Sequence, residues 1–395
     1  MSGHEHVVII ALMSRLDSST LLGGLSPRTF LDRHWQKKPL LIRGAWPRFS
    51  GLLKPSQLIA LACRDDVRSR VVIKAGRKWQ VHHGPFERAF LRSLPARGWS
   101  LLVHDVNHFL PQARALMDGF DFIGFARQDD LMISFAPPGA GVGPHFDSYD
   151  VFLLQGPGRR RWQVSQQSDL TLVADAPLRL LRRFRTEQEW VLDPGDMLYL
   201  PPGCAHNGTA VDACMTYSIG FRAPVWHDLA IDFLRHLEDH VTLDGVYQDP
   251  GLVPARQPAR ITPEMIRGVT QQLDRLQWRA AEITRFLGQH LTEPKMHVVF
   301  QRAQPALTKS AFLRRAQRDG VQLDLKTQML YVGVLFFMNG ESVQVTGRAQ
   351  ESMRELADRR RLQRVDSSQR GLATLLHEWY RAGYLQLGTT HGGAT

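Results

Sequence analysis

The spacing of hydrophobic and polar positions changes along the chain, and each change marks a block. Between residues 27 and about 116, short helical and extended patterns alternate. Apolar side chains at helical spacing run from Pro27-Arg28-Thr29-Phe30-Leu31 to Trp35, which predicts a short helix. Pro39-Leu40-Leu41-Ile42-Arg43-Gly44 reads as a strand closed by a glycine, and Val71-Val72-Ile73 and Gln80-Val81 read as further strands. From Leu131 to Arg222 the pattern becomes short strands with turn punctuation, predicted over 131–136, 149–155, 159–164, 189–192, 197–200 and 215–221. Gly156-Pro157-Gly158 and Asp193-Pro194-Gly195-Asp196 supply the tight turns. This is the grammar of a β-sandwich or barrel.

After Ala223-Pro224 the spacing turns helical, over 228–240 and 263–290, with a proline-rich linker at 250–258 between them. A third change comes near Ser310, where a helix leads into a strand over 329–338. That strand turns at Asn339-Gly340 into 342–345, and a last helix is expected around 372–380. Helix, hairpin and helix fit a winged-helix module. A chain of 395 residues exceeds one typical domain. The expected division is 1–225, 226–305 and 306–395.

Composition adds little to the fold and something to the surroundings. Hydrophobic residues make up 43% and charged residues 22%, as in ordinary folded protein. A net charge of +11 attracts polyanions, so direct nucleic-acid binding is open, although a solvated arginine surface explains the same excess. Three cysteines without a CxxC predict no disulfide framework and fit a reducing, cytoplasmic setting. Val7-Val8-Ile9-Ile10-Ala11-Leu12 is apolar, but no Lys or Arg precedes it, so neither an export signal nor a membrane span is expected. Met13 is an alternative start.

Candidate chemistry lies in the strand-rich block. Gly143-Pro144-His145-Phe146-Asp147 places a His and an Asp two residues apart, on one face if that segment is a strand. His206 follows Pro201-Pro202-Gly203, and a returning strand would set it opposite the pair. Two imidazoles and one carboxylate on one side of a metal leave positions open for other ligands, the arrangement of non-haem iron oxygenases. In Arg159-Arg160-Arg161-Trp162-Gln163-Val164, alternation puts Arg160 on the face of Trp162 and Val164, toward the barrel interior. A buried guanidinium needs an anion, and a dicarboxylate co-substrate supplies one. Ser134, on the preceding strand, is a candidate second donor to that carboxylate.

At these residues the chain resembles the bacterial ribosomal oxygenases of the JmjC/cupin superfamily. The stretches that carry the resemblance are Phe30-Leu31-Asp32-Arg33-His34-Trp35-Gln36-Lys37-Lys38-Pro39, Gly76-Arg77-Lys78-Trp79-Gln80-Val81, GVGPHFDSYDVFLLQGPGRRRWQV, GDMLYLPPGCAHNG and YSIGFRAP, within residues 26–225. The resemblance implies an α+β chain with a double-stranded β-helix core, a helical dimerisation region and a C-terminal winged-helix-like domain. It implies Fe(II) at His145, Asp147 and His206, with 2-oxoglutarate held through Arg160 and Ser134. O2 would be consumed, 2-oxoglutarate would leave as succinate and CO2, and a hydroxyl would be placed on a large-subunit ribosomal protein, most closely in the manner of an arginine hydroxylase. A homodimer is implied as well. The chain departs from the pattern at Ala136, where a relative has Ser, and at Cys204, where a bulky apolar residue is usual.

Two other readings stay open on sequence alone. One is a hydroxylase acting on another residue, such as histidine, or a demethylase. The other is a nucleic-acid-binding regulator whose cupin senses a metal or small ligand, with Arg354, Arg359, Arg360, Arg361 and Arg364 as its basic patch. For the acceptor pocket, Ser148, Tyr149 and Asp150 are equal candidates.

Overall fold

The structure, a computed structural model, describes residues 18–76, 78–238, 243–276, 278–366 and 368–388. The apolar stretch near residue 10 and Met13 lie outside them. Among the described residues, no helix is long and apolar enough to cross a membrane.

Eleven strands build the barrel: β1 (Leu40–Ile42), β2 (Ser69–Ala75), β3 (Lys78–His83), β4 (Trp99–Val103), β5 (Gln128–Ala136), β6 (Asp150–Gln155), β7 (Arg160–Ser165), β8 (Gln188–Leu192), β9 (Met197–Leu200), β10 (Ala205–Ala210) and β11 (Cys214–Phe221). One eight-stranded sheet runs β1-β9-β6-β11-β5-β4-β2-β3, and a three-stranded sheet runs β10-β7-β8. Strand alternation sorts the side chains. On β11, Met215, Tyr217, Ile219 and Phe221 join an apolar core with Leu131, Ile133, Phe152 and Leu154. That core is covered by helices Pro27–Arg33, Pro55–Ala62 and Pro111–Asp118, which contribute Phe30, Leu58, Leu116 and Met117. Each of these helices opens with a proline, whose missing N–H costs nothing in the first turn. The opposite face of the large sheet carries Ser134 opposite Thr216 and Leu102, and Met132 opposite Ser218. It packs on the small sheet through Val151, Leu153, Leu198 and Leu200 against Trp162, Val164 and Leu192. The side chains of Ser134, Arg160, Trp162 and His206 face this gap.

The turn at Gly195 requires a glycine. Its φ of +92° is left-handed, and a Cβ there would run into the carbonyl oxygen of Trp46. Asp196 then fixes the turn, accepting from the backbone N–H groups of Gly44 (2.9 Å) and Asp193 (3.0 Å).

Beyond the barrel the strands are β12 (Val321–Leu323), β13 (Met329–Val332), β14 (Leu335–Met338), β15 (Glu341–Gln344), β16 (Arg361–Leu362) and β17 (Leu385–Leu387). By contacts the chain forms two compact units. One joins everything up to Ala223 with Pro294–Thr327 and the chain from Arg359 onward; the other holds Pro224–Glu293 and Gln328–Asp358. In the first, helices Lys309–Asp319 and Arg370–Ala382 accompany the small sheet β16-β12-β17. In the second, helices Trp226–Glu238, Pro263–Leu273 and Ala280–Thr292 accompany the sheet β13-β14-β15.

Two expected elements divide. The pattern over 263–290 is two helices, because Leu273 ends the first and Ala280 begins the second. The strand expected over 329–338 is a hairpin: β13 and β14 pair antiparallel around Gly333, whose φ is +59°. Its apolar residues run on through the turn, so hydrophobicity alone hides the reversal. The helix expected over 228–240 is described as Trp226–Glu238; its last two positions lie outside the described residues.

Candidate metal centre and its cavity

His145 and Asp147 do not stand on a regular strand, as the sequence suggested. They sit on an extended segment leading into β6, joined to β10 by a single antiparallel bridge between His145 and His206. Two backbone bonds close the bridge, His145 N–H to the His206 carbonyl (2.9 Å) and His206 N–H to the His145 carbonyl (2.8 Å). The third residue is held the same way, since Gly203 N–H donates to the Asp147 carbonyl at 2.8 Å. The tight turn after Pro201-Pro202 thus anchors the backbone of Asp147 as well as delivering the second histidine. One potential ligand atom from each of His145, Asp147 and His206 lies within 4.8 Å of the others.

The imidazoles have defined tautomers. Nδ1 of His145 is 2.9 Å from the Gly143 carbonyl, and Nδ1 of His206 is 2.9 Å from the Cys204 carbonyl. A carbonyl only accepts, so each Nδ1 carries the proton and each Nε2 keeps a free lone pair. His206 Nε2 is 3.7 Å from Asp147 Oδ2. Burial and the neighbouring His145 lower the His206 pKa to about 4, so the ring stays neutral near pH 7 and able to ligate. Two neutral imidazole lone pairs and a carboxylate suit a divalent transition metal, and the set fits Fe(II).

Arg160 is buried, as alternation predicted, on the inner face of β7. Its guanidinium lies 5.5 Å from the Trp162 ring, and Nη1 is 3.4 Å from Ser134 Oγ. Its Nε is buried and has no hydrogen-bond partner. A cation left this way is costly unless an anion occupies the space beside it. That is the state expected of a carboxylate receptor, and it fits 2-oxoglutarate.

These groups line one cavity of about 420 Å³, together with Met132, Tyr149, Ser218 and Trp162. Trp162 also touches His206, ring to ring at 5.8 Å. Gly208, opposite Trp162 on β10, leaves room for that indole; a Cβ would lie 2.6 Å from its ring. Of the three residues after Asp147, Ser148 and Tyr149 line the cavity. Asp150 does not. It is fully buried on the other side, accepting from Tyr199 (2.6 Å) and Gln36 (2.9 Å), with Arg127 at 3.5 Å.

Sequence reasoning missed Arg70. This β2 residue lines the same cavity, and its buried Nε also has no partner. Burial lowers its pKa, while Tyr149, Asp147 and Asp130 oppose the shift. The available signal was an arginine beside the apolar run Val71-Val72-Ile73, the same anomaly that exposed Arg160. Cys204 is buried, with its thiol pushed up to about 12 by desolvation, and is therefore inert as a nucleophile.

Known proteins match this arrangement. Residues 115–229 match the JmjC domain and residues 275–386 the ROXA-like winged helix. The chain is 34% identical over 316 residues to the ribosomal protein uL16 3-hydroxylase of Escherichia coli, across 80% of this chain and 84% of that one. It is 39% identical over 233 residues to a probable ribosomal oxygenase of Haemophilus influenzae, across 58% of this chain and 55% of that one. The structure of the E. coli ribosomal oxygenase YcfD in complex with cobalt and 2-oxoglutarate aligns with a TM-score of 0.80 and 31% identity, over 92% of this chain and 99% of that chain.

Proposed function

The chain belongs to the JmjC-domain ribosomal oxygenases, and from that premise we propose that it is an Fe(II)- and 2-oxoglutarate-dependent hydroxylase of an arginine in a large-subunit ribosomal protein. His145, Asp147 and His206 would hold the iron, and Arg160 with Ser134 would hold the distal carboxylate of 2-oxoglutarate. The observation that carries this reading is the buried, half-satisfied guanidinium of Arg160 in the same cavity as two histidines with free Nε2 lone pairs. Bound together, iron and 2-oxoglutarate supply the oxidising power to put one oxygen atom of O2 on an unactivated C–H bond.

The protein's own work is placement. The backbone bridge between His145 and His206 sets the spacing of the imidazoles, and the Nδ1–H bonds to Gly143 and Cys204 aim their Nε2 atoms. Arg160 gives a carboxylate a charged, directional partner where water is excluded. Trp162 fills the space between that receptor and His206. Ser148 and Tyr149 stand on the cavity wall where the target side chain would lie, so they are better candidates for contacting it than Asp150.

We also propose that residues 226–305 are a dimerisation region. Helices Trp226–Glu238 and Pro263–Leu273 are amphipathic and have no fully buried residue, and Trp226, Leu234 and Ile266 stay largely exposed beside the Phe233–Phe286 contact.

The hydroxylase reading is tested by loading iron and 2-oxoglutarate anaerobically, then admitting air with peptides from ribosomal proteins. Mass spectrometry should find one added oxygen on an arginine, absent with H206A. Oxygen on another residue keeps the oxygenase and removes the arginine; no iron-dependent oxygen on any peptide sinks the reading.

A further inference from the structure

The segment joining β7 to β8 carries four arginines in seven residues: Arg179, Arg182, Arg183 and Arg185. Several arginines of this unit are neutralised by a nearby acid, as in Arg64–Asp66 (2.7 Å), Arg159–Asp212 (2.7 Å) and Arg318–Asp319 (2.8 Å). Here only Arg185 is paired, to Glu187 at 3.2 Å. Arg182 and Arg183 are exposed and form no ion pair among the described residues. Arg179 lies over the Phe146 ring at 5.0 Å, between His145 and Asp147 in sequence, and the segment's Pro177–Leu180 stretch walls the cavity. Arg179 therefore stands on the wall of the candidate metal cavity, and the other three arginines follow it along the segment.

A shallow groove of about 300 Å³ opens on the same segment, lined by Gln167, Ser168, Asp169, Arg183, Phe184 and Arg185. Its half-buried aromatic ring stands between two arginines in sequence. Asp169 is the acid of the groove; its carboxylate accepts from the Thr171 backbone N–H at 3.1 Å and Oγ1 at 2.6 Å, and the charges of Arg183 and Arg182 act on it from beyond ion-pair distance. The root of the segment touches a second basic stretch: Gln166 Nε2 donates to the Lys37 carbonyl at 3.3 Å, and Lys37 and Lys38 are exposed.

We infer that this segment is a binding surface for single-stranded nucleic acid, with Arg182, Arg183 and Arg185 on phosphates and Phe184 beneath a base. Unpaired arginines alone would accept any polyanion. The ring between them favours a strand with bases, because every base has a face that stacks on an aromatic side chain. The inference is independent of the hydroxylase reading, since binding of a strand needs neither metal nor turnover.

The test is fluorescence anisotropy on the metal-free full chain, with labelled 12-nucleotide RNA and DNA single strands at several salt concentrations. Affinity should fall linearly with log salt, with a slope near −2 for about three phosphate contacts. R182E/R183E should weaken binding by about tenfold or more and flatten that slope, with an unchanged melting temperature. Should the charge reversal unfold the chain, R182Q/R183Q must give the same ordering with a smaller change. F184A should weaken binding by about fivefold or more and leave the slope in place. The tighter of the two strands names the source of the ligand. No binding at low salt, binding by the arginine variants equal to that of the unaltered chain, or displacement of the strand by an equal concentration of a glutamate-rich peptide would each overturn the inference, the last by making the partner an acidic protein.

Discussion

His145 and His206 are held together by their own backbones, the N–H of each donating to the carbonyl of the other at 2.9 and 2.8 Å. The spacing of the two imidazoles is therefore a property of the chain path, and neither side chain is needed to make it. H206A should keep the fold, with an unchanged far-ultraviolet spectrum, because both bonds survive the truncation. Iron affinity should fall by more than about 100-fold, since even partners of ligands cost 10–100-fold when removed. Calorimetric titration with Fe(II) under anaerobic conditions checks this. Unchanged affinity would remove His206 from the metal site.

Arg160 gives the second prediction, and it concerns two states of the protein. Without a carboxylate, the chain carries a buried cation with one orphaned N–H. R160M should therefore leave the co-substrate-free protein as stable as before, or more so, since buried charges are often replaced by apolar groups without loss. With 2-oxoglutarate the order reverses. The variant should lose at least about 30-fold in affinity, the ~2 kcal/mol that truncating one side of a buried charge pair typically costs. S134A should lose only a few-fold, its hydroxyl being neutral. Thermal shift with and without 2-oxoglutarate reads both halves, and a ligand-induced shift retained by R160M would refute the assignment.

What the sequence made legible, and what it hid, follows from the range of the interactions. The strands of the barrel and the inward face of Arg160 were readable because alternation within six residues decides them. His145, Asp147 and His206 were readable as a set from the turn grammar around them. The setting of His145 was not, because a single bridge to a residue 61 positions later leaves no periodicity behind. Asp150 could not be told from Ser148 and Tyr149, since its partners on the other side of the sheet, Tyr199, Gln36 and Arg127, are all distant in sequence. Arg70 stayed hidden because its strand contributes to the cavity from 75 residues before His145.

His108 makes stability depend on pH in a predictable direction. It is buried in the short turn after β4, and desolvation lowers its pKa to about 4, with Asp105 and Asp130 raising it and Lys295 and His297 lowering it further. The unfolded chain binds the proton near pH 6.5 and the folded chain only near 4, so the unfolded state holds more protons in between. This group's stabilisation is complete above about pH 6.5 and is lost as pH falls toward about 4, up to about 3 kcal/mol. H108Q, neutral throughout, should show a flatter fall of the urea midpoint across that window. Parallel curves for the two proteins would mean that His108 is protonated in the folded state.

The last prediction concerns the helical region. Trp226 is 84% exposed, Leu234 55% and Ile266 55%, on helices with no fully buried residue, although Phe233 of the first packs against Phe286. The monomer leaves these apolar side chains in water, whereas helix stability comes chiefly from covering the apolar face. A second copy of the same chain would cover them symmetrically, each helix meeting its own counterpart. Light scattering after gel filtration should give about twice the chain mass of 44.8 kDa. W226E/L234E should give the monomer mass while keeping iron binding, since the metal residues lie in the other compact unit. A monomer for the unaltered chain at tens of micromolar would rule out this dimer, and a dimer that survives the double substitution would place the interface elsewhere.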